Sequence, residues 1–531
     1  MSRILITIKL NRWSLLVISL IVVILLWIYS SSFFRTKGYS GTADFLVTFI
    51  GNWFSGLGAK PPALEIKIAP GDFKKIMEQR EAHLQRGLIM SDSGTFVPGT
   101  ILYGGQKIKA ELRLKGHMTD HLSGEKWSFR VHIKGGNKIL GMKWFSIQHP
   151  GTRNYIYEWI YHRLLSQEDI ISLRYLFVRV TLNGKDKGIY ALEEHFSEEL
   201  TEANRRPNAP ILRFNPDMYW KDRLNEIMHI RPVAEWASFQ SAYIESYRTK
   251  KVLRDSLQKE YFLAGMSILE GFRRGYLSSQ DVFDVPRLAK FHAILDLVGG
   301  HHSLDWSDVK YYYNPESRRI EPVGYESFSA YPIDRIAGIY RFNGKMRAEN
   351  ITDLHQLIFN DTLFFINYIA ALEEITQPGY LDTFFNRCSA DLEKNLKILY
   401  SEFPYKDFDK SVYYRNSKMI KKIITPPRAV NAYLTAADSS GIIIKAGNVE
   451  SLPVEILSVS AGQSTDILPE KRMTLPSKVA KNSVNYVVMK FNFRNPAGDD
   501  DALLKNLKIN YRILGSKTII QSDVLPYPHP Y

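Results

Sequence analysis

His301-His302-Ser303-Leu304-Asp305-Trp306-Ser307-Asp308, followed after a short β pair by Glu321-Pro322-Val323-Gly324-Tyr325-Glu326, is the stretch on which the fold turns. Lys310-Tyr-Tyr-Tyr313 and Arg319-Ile-Glu-Pro-Val-Gly-Tyr325 have the aromatic and β-branched content of two paired strands. Acidic residues on the loops flanking such a pair can hold a divalent cation and orient a hydroxyl. Three other readings compete. A zinc site would draw on His302 and Asp305, but no third nitrogen or sulfur ligand is spaced for it. An acyltransferase His-His motif needs three residues between its pair and then Asp-Gly, whereas two stand here and Trp306 follows Asp305. Surface loops without chemistry are the third.

Upstream, Arg113-Leu-Lys-Gly-His-Met-Thr-Asp-His121 leads into Lys126-Trp-Ser-Phe-Arg130. The flanking patterns are strand-like from Gly99 to Ile133, so Arg113, Lys126 and Arg130 on adjacent strands could converge on one polyanion. A solvated sheet edge is the plainer alternative. Thr152 to Leu165 has helical spacing, with Ile156, Trp159, Ile160 and Leu164 on one face. Phe177-Val-Arg-Val-Thr-Leu182 and Gly188-Ile-Tyr-Ala-Leu192 flank Asn183-Gly184, a hairpin signal, and end in Glu193 and Glu194. Residues 235–300 and 350–400 are mostly helical by period. Past Thr425-Pro-Pro427, short apolar strands separated by turns predict a small β-sandwich. Its Asp499-Asp500-Asp501 run fits an exposed acidic turn better than a calcium site.

The N-terminus predicts a membrane anchor. No charge interrupts Trp13 to Tyr29, Trp13, Trp27 and Tyr29 stand at the ends, and Arg3, Lys9 and Arg12 precede the run. A cleaved signal peptide would have a shorter apolar core and a small-residue cleavage site, which Ser30-Ser-Ser-Phe-Phe34 renders poorly. More basic residues precede the helix than follow it, where Arg35 and Lys37 stand. That places the N-terminus in the cytoplasm and the bulk outside, as a single-pass protein. The rest of the 531 residues exceeds one core, and the single cysteine, Cys388, excludes an intrachain disulfide. A net charge of +14 suits anionic neighbours such as lipid headgroups or an envelope polymer. Without an arginine-rich run or an aromatic-spaced basic stripe, nothing points to nucleic acid beyond a nucleotide.

Taken in order, the motifs at 113–130, Arg153-Asn154 with its helix, 180–194, His-Ser-Leu-Asp305 and the Tyr-Asn-Pro to Glu326 hairpin resemble the CotH-like kinases. These are atypical protein kinases named for a spore coat protein, and the resemblance covers about residues 64–400. It implies an α+β, reduced two-lobed protein-kinase-like fold between the transmembrane helix and the β-sandwich. The implied segments are a cytoplasmic 1–12, a membrane helix 13–32, a linker 33–62, an N-lobe 63–200, a helical C-lobe 201–425 and a C-terminal domain 426–531. By resemblance, Arg113, Lys126 and Arg130 contact ATP phosphates, Glu158 holds Lys126, and Glu193 and Glu194 lie near the hinge between lobes. Asp305 would be the catalytic Asp, and Glu326 with Asp308 would hold Mg²⁺ or Mn²⁺. Two positions depart from the family pattern. Its Asn after the catalytic Asp is replaced by Asp308 or Lys310, and its metal-binding Asp is Glu326. The implied activity is transfer of phosphate from ATP to Ser/Thr hydroxyls of an envelope or secreted protein. The alternative is a pseudokinase scaffold binding an envelope polymer or protein.

Overall fold

In β1 (Ala63–Ile68) and β3 (Gln106–Leu114) buried and open residues alternate, as they do where one strand face is sealed and the other is not. The computed structural model describes residues 12–36, 39–90, 96–230, 236–340, 354–461, 466–478, 483–493 and 506–527. Arg3, Lys9, Lys37 and the 499–501 acidic run lie outside these. The chain divides into two compact units, residues 1–62 with 390–409, and residues 63–389 with 410–531.

In the first unit, helix Arg12–Thr36 contains the twenty-residue apolar stretch Leu15–Phe34, none of it buried. At about 1.5 Å per residue it can cross a hydrocarbon core of about 30 Å. It is one N-terminal apolar helix with the profile shared by signal anchors and signal sequences. The 33–62 stretch, expected as a linker, instead contains a second helix, Thr42–Gly56. Its glycines suggested a linker, but its apolar residues recur at helical spacing.

The second unit is mixed α+β. With β1 and β3, the strands β2 (Val97–Tyr103), β4 (Phe129–Ile133), β5 (Trp144–Gln148), β6 (Tyr175–Leu182) and β7 (Lys185–Glu194) close a barrel. Their order is β1-β2-β3-β4-β5-β7-β6, closed by a parallel pair of β1 with β6 that sets Leu64 opposite Val180. Ile66, Ile101, Leu112, Val131, Phe145 and Val178 join its buried apolar core. The opposite face carries a continuous cross-strand row, Arg113 opposite Arg130, Arg130 opposite Ser146, Ser146 opposite Glu193, and Glu193 opposite Tyr175. Directly opposed residues share a face, so the register assembles both arginines and Glu193 on one wall.

A four-stranded sheet follows, ordered β11-β10-β8-β9, from β8 (Ile211–Phe214), β9 (Ile244–Ser246), β10 (Lys310–Asn314) and β11 (Arg319–Val323). Behind it, helix Val285–Val298 is buried on nearly all sides and packs on helices Thr362–Ile375 and Ser411–Ile424. Its first turns still meet water at Pro286, Arg287 and Lys290, but from Phe291 to Val298 every residue is buried, as in a helix enclosed on all sides. Its one buried acid, Asp296, accepts from the Ala337 amide at 2.7 Å and the Tyr368 hydroxyl, and pairs with His301.

The C-terminal strands are β12 (Val430–Asp438), β13 (Gly441–Asn448), β14 (Val454–Ala461), β15 (Met473–Leu475), β16 (Tyr486–Asn492), β17 (Leu507–Ile513) and β18 (Ile520–Pro526). Where the sequence suggested a small β-sandwich, these strands run as one continuous barrel-like sheet, β15-β14-β17-β18-β12-β13-β16. The reason is β18, which pairs antiparallel with β17 and parallel with β12 and so joins what would be two layers.

Candidate functional site

A cavity of about 480 Å³ opens against the outer wall of the first barrel. Its cationic side comes from β3, β4 and the turn at Arg153, and its acidic side from the loops before β10 and after β11. Arg113, Arg130, Asp305, Asp308 and Glu326 all line it. The cationic strands and the two acidic clusters therefore share one space.

The cationic wall is unusual in what it lacks. Arg130 is 8% exposed and its Nε has no hydrogen-bond partner. Half-buried Arg113 donates to the Leu114 carbonyl at 3.0 Å and lies over the Phe96 ring at 5.4 Å. Among the described residues neither arginine makes an ion pair. Burial, and then the charges of Arg130 and Arg213, press the Arg113 guanidinium down to about 10. A buried and a half-buried cation side by side, with no acid paired to either among the described residues, create a local field that an anion relieves.

Next to them, buried Lys115 donates to Gln148 Oε1 at 2.8 Å and forms an ion pair with Glu193. Burial lowers its ammonium to about 8 against the pull of Glu193. Arg153, also buried, pairs with Glu326, stands 3.8 Å from Glu193, and covers the Phe328 ring at 4.8 Å. Burial opposes its charge, but Glu326 and Glu193 raise its pKa further. Gly116, at φ 116°, precedes His117 with the His121 ring where a Cβ would stand, so the loop after Lys115 accepts no side chain there. His117 then stacks on Trp220 at 4.5 Å.

On the acidic side, ligand atoms of His302, Asp308 and Glu326 all lie within 4.8 Å of one another, with His302 Nε2 3.3 Å from Asp308 Oδ2. Burial, and then the negative charge of Glu326, raise the Asp308 carboxyl to about 7. Burial would raise Glu326 too, but Arg153 and Lys115 hold it far below the usual carboxylate range. Two carboxylates and an imidazole at this spacing fit a divalent cation, which would relieve their repulsion. Asp305 is exposed at the mouth of this group, and its Oδ1 accepts from the Ser307 amide and hydroxyl, each at 2.9 Å. Glu326, Phe328 and Ala330 each adopt a positive φ, of 46°, 48° and 73°. Three alternate non-glycine residues in that region mark a loop held in shape by its surroundings.

No protein-family model matches the chain, and no curated protein matches it.

Two residues have partners other than those expected of them. Lys126 does not line the cavity; its Nζ donates to the Ile189 carbonyl at 2.9 Å and sits 5.2 Å from the Tyr190 ring centre. It precedes the first residue of β4, so strand alternation does not aim it at the wall. Glu158 has no lysine partner among the described residues. It accepts from the Ser327 amide at 3.0 Å and hydroxyl at 2.7 Å, so it pins the 326–330 loop, and burial raises it to about 7. Glu193 reaches the cavity wall through Lys115 and Arg153, whereas neighbouring Glu194 faces away and pairs with Arg174. His302, weighed in the sequence only for a zinc site with Asp305, groups with Asp308 and Glu326. Sequence reasoning passed over Lys115, Arg153 and Arg213 as site cations. Lys115 was legible, since period-two spacing from Arg113 puts it on the same strand face.

Proposed function

We propose that this chain is a membrane-anchored CotH-like kinase that transfers phosphate from ATP to Ser/Thr hydroxyls of an envelope or secreted protein. The observation that carries the proposal is the single cavity. Buried Arg130 and half-buried Arg113, without acidic partners among the described residues, face a His302–Asp308–Glu326 cluster and an exposed Asp305. The first barrel with its helices corresponds to a reduced N-lobe, and the β8–β11 sheet with the helices behind it to the C-lobe. The anchor orientation, with an extracytoplasmic body, belongs to the same proposal, as does affinity for an anionic envelope polymer.

Phosphoryl transfer depends mainly on positioning and on neutralising phosphate charge. Arg113 and Arg130 take phosphate oxygens. Lys115, paired with Glu193, assumes the part expected of Lys126 with Glu158. Asp308 and Glu326, with His302, would hold Mg²⁺ or Mn²⁺, which would supply charge neutralisation for the phosphates. Asp305 accepts the proton as the acceptor oxygen bonds to the γ-phosphorus and the bond to the ADP oxygen breaks. In the Asp305→Asn variant, transfer of labelled phosphate is lost while the thermal shift with ATP and Mn²⁺ is kept. A wild-type chain with neither nucleotide shift nor transfer under either metal would overturn the proposal.

One observation favours the scaffold alternative. Arg153 already occupies an oxygen of Glu326. In that reading the cation is internal, the cavity binds an anionic partner, and Mn²⁺ adds nothing to anion binding.

A further inference from the structure

Helix Thr42–Gly56 has two unlike faces. One is sealed within its own unit. Phe45 stacks on Phe34 at 4.1 Å and meets Tyr39 edge-on at 5.2 Å, and Asn52 Nδ2 donates to the Pro404 carbonyl at 3.0 Å. At Gly56 the Tyr400 backbone comes so near that a Cβ would stand 2.6 Å from its carbonyl carbon. The other face bears Leu46, Val47, Ile50, Trp53, Phe54 and Leu57, every one exposed. From Phe45 to Ala59 the chain has no charged residue. A helix face that meets water normally carries charged or polar side chains, and an apolar patch of this kind marks an interaction surface.

We infer that this helix lies in the membrane interface, with Leu46, Val47, Ile50, Trp53, Phe54 and Leu57 turned into the acyl chains, as a second and non-spanning attachment. The inference rests on the proposal that helix Arg12–Thr36 is retained as an anchor.

Continuity identifies the occupant. The Thr42 hydroxyl is hydrogen-bonded to those of Ser30 and Ser31, at 2.8 and 2.9 Å, and Phe45 to Phe34 continues the contact. The helix is thus fixed to the end of the apolar stretch Leu15–Phe34, where that stretch leaves the hydrocarbon. Its fifteen residues reach about 22 Å at ~1.5 Å each, short of the ~30 Å needed to cross. Lying in the plane satisfies both limits, since interfacial helices bury an apolar face at the headgroup boundary. Tyr39, Trp53 and Tyr405 supply amphipathic rings for that depth, and the Tyr39 hydroxyl donates to the Tyr405 carbonyl at 2.6 Å.

The single cysteine makes the test clean. In a Cys388→Ala background, Val47→Cys, Ile50→Cys and, as a water-facing reference, Tyr276→Cys are each labelled with a nitroxide. The full chain is reconstituted in phosphatidylcholine–phosphatidylglycerol liposomes. Collision rates are then read with oxygen, which concentrates in acyl chains, and with a nickel chelate, which stays in water. Oxygen-dominated collisions at 47 and 50, against nickel-dominated collisions at 276, are expected. Nickel-dominated collisions at 47 and 50 would place the face in water and overturn the inference. Low rates with both reagents would mean a protein covers it, a second copy included, and would overturn it equally. An alkaline carbonate wash of cell membranes tests the anchor separately. Release of the chain there removes the anchor proposal and this inference together, whereas retention with nickel-accessible labels removes this inference alone.

Discussion

Replacing Arg113 with Met should make the protein more stable and less able to bind nucleotide. Burial and the nearby charges of Arg130 and Arg213 lower the Arg113 guanidinium from its ordinary 12.5 to about 10. At roughly 1.4 kcal/mol per tenfold change, holding that charge disfavours the folded state by about 3 kcal/mol. The sign follows from the depressed pKa. Near neutral pH the group is charged both folded and unfolded, so the full penalty is present, and it is relieved only as pH rises through about 10. Methionine keeps most of the aliphatic contact. It loses the hydrogen bond to Leu114, worth about 1 kcal/mol, and the contact with Phe96, worth about 0.5–1 kcal/mol. A net gain of about 1–2 kcal/mol remains. Differential scanning fluorimetry of wild type and Arg113→Met, with and without ATP and Mn²⁺, reads both consequences. The apo variant should melt a few degrees higher, and the nucleotide-induced rise should shrink or vanish. An apo variant that melts lower, or one with an undiminished nucleotide shift, would refute the idea that this arginine is kept strained for an anion.

Lys115 is charged below about 8 and neutral above it, so tripolyphosphate or ATP affinity measured by calorimetry should fall as pH passes 8, and Lys115→Arg should remove that inflection. The same group should add to stability between about 8 and its ordinary 10.5, where the unfolded chain holds a proton that the folded chain does not; pH-dependent urea melts check this. Glu158→Ala strips the Ser327 amide and hydroxyl of their acceptor, costing about 1–3 kcal/mol and weakening Mn²⁺ binding through the 326–330 loop. Lys126→Met, outside the cavity, should leave Mn²⁺ and ATP binding unchanged, and a matching loss would return Lys126 to the site.

What the sequence makes legible follows the range of the interactions involved. Six of the seven barrel strands and the β10–β11 pair are set by local alternation and turn chemistry and stand close to where their patterns put them, whereas β5, five residues long, was not legible. Strands β8 and β9, four and three residues long, fall below the length at which a period is readable in a helical neighbourhood. The continuous C-terminal sheet depends on β18 meeting both β17 and β12, a nonlocal choice absent from any window. Within the site, the acidic cluster was legible from loops flanking a visible hairpin. The lysine was not. Lys126 had the more suggestive neighbours in Trp-Ser-Phe-Arg, but Lys115 has the register, and its chain continues the β3–β4 ladder by donating from its amide to the Ser128 carbonyl at 2.9 Å.

The choice between enzyme and scaffold narrows to the partner of one carboxylate. Arg153 and Glu326 are both enclosed, their side chains 2% and 13% exposed. Removing Arg153 therefore strands Glu326 beside Asp308, and breaking a buried pair costs about 3–5 kcal/mol. A divalent cation at the His302–Asp308–Glu326 cluster would compensate that stranded charge, and in the wild type it must compete with Arg153 for the same oxygen. Arg153→Met should therefore melt lower than wild type in chelator yet gain more from Mn²⁺, because the competitor is gone. If Arg153 were only an internal counter-ion and the cluster bound no metal, the variant would melt lower with or without Mn²⁺. An equal or smaller Mn²⁺ shift in Arg153→Met than in wild type would remove the metal from the mechanism, and phosphoryl transfer with it.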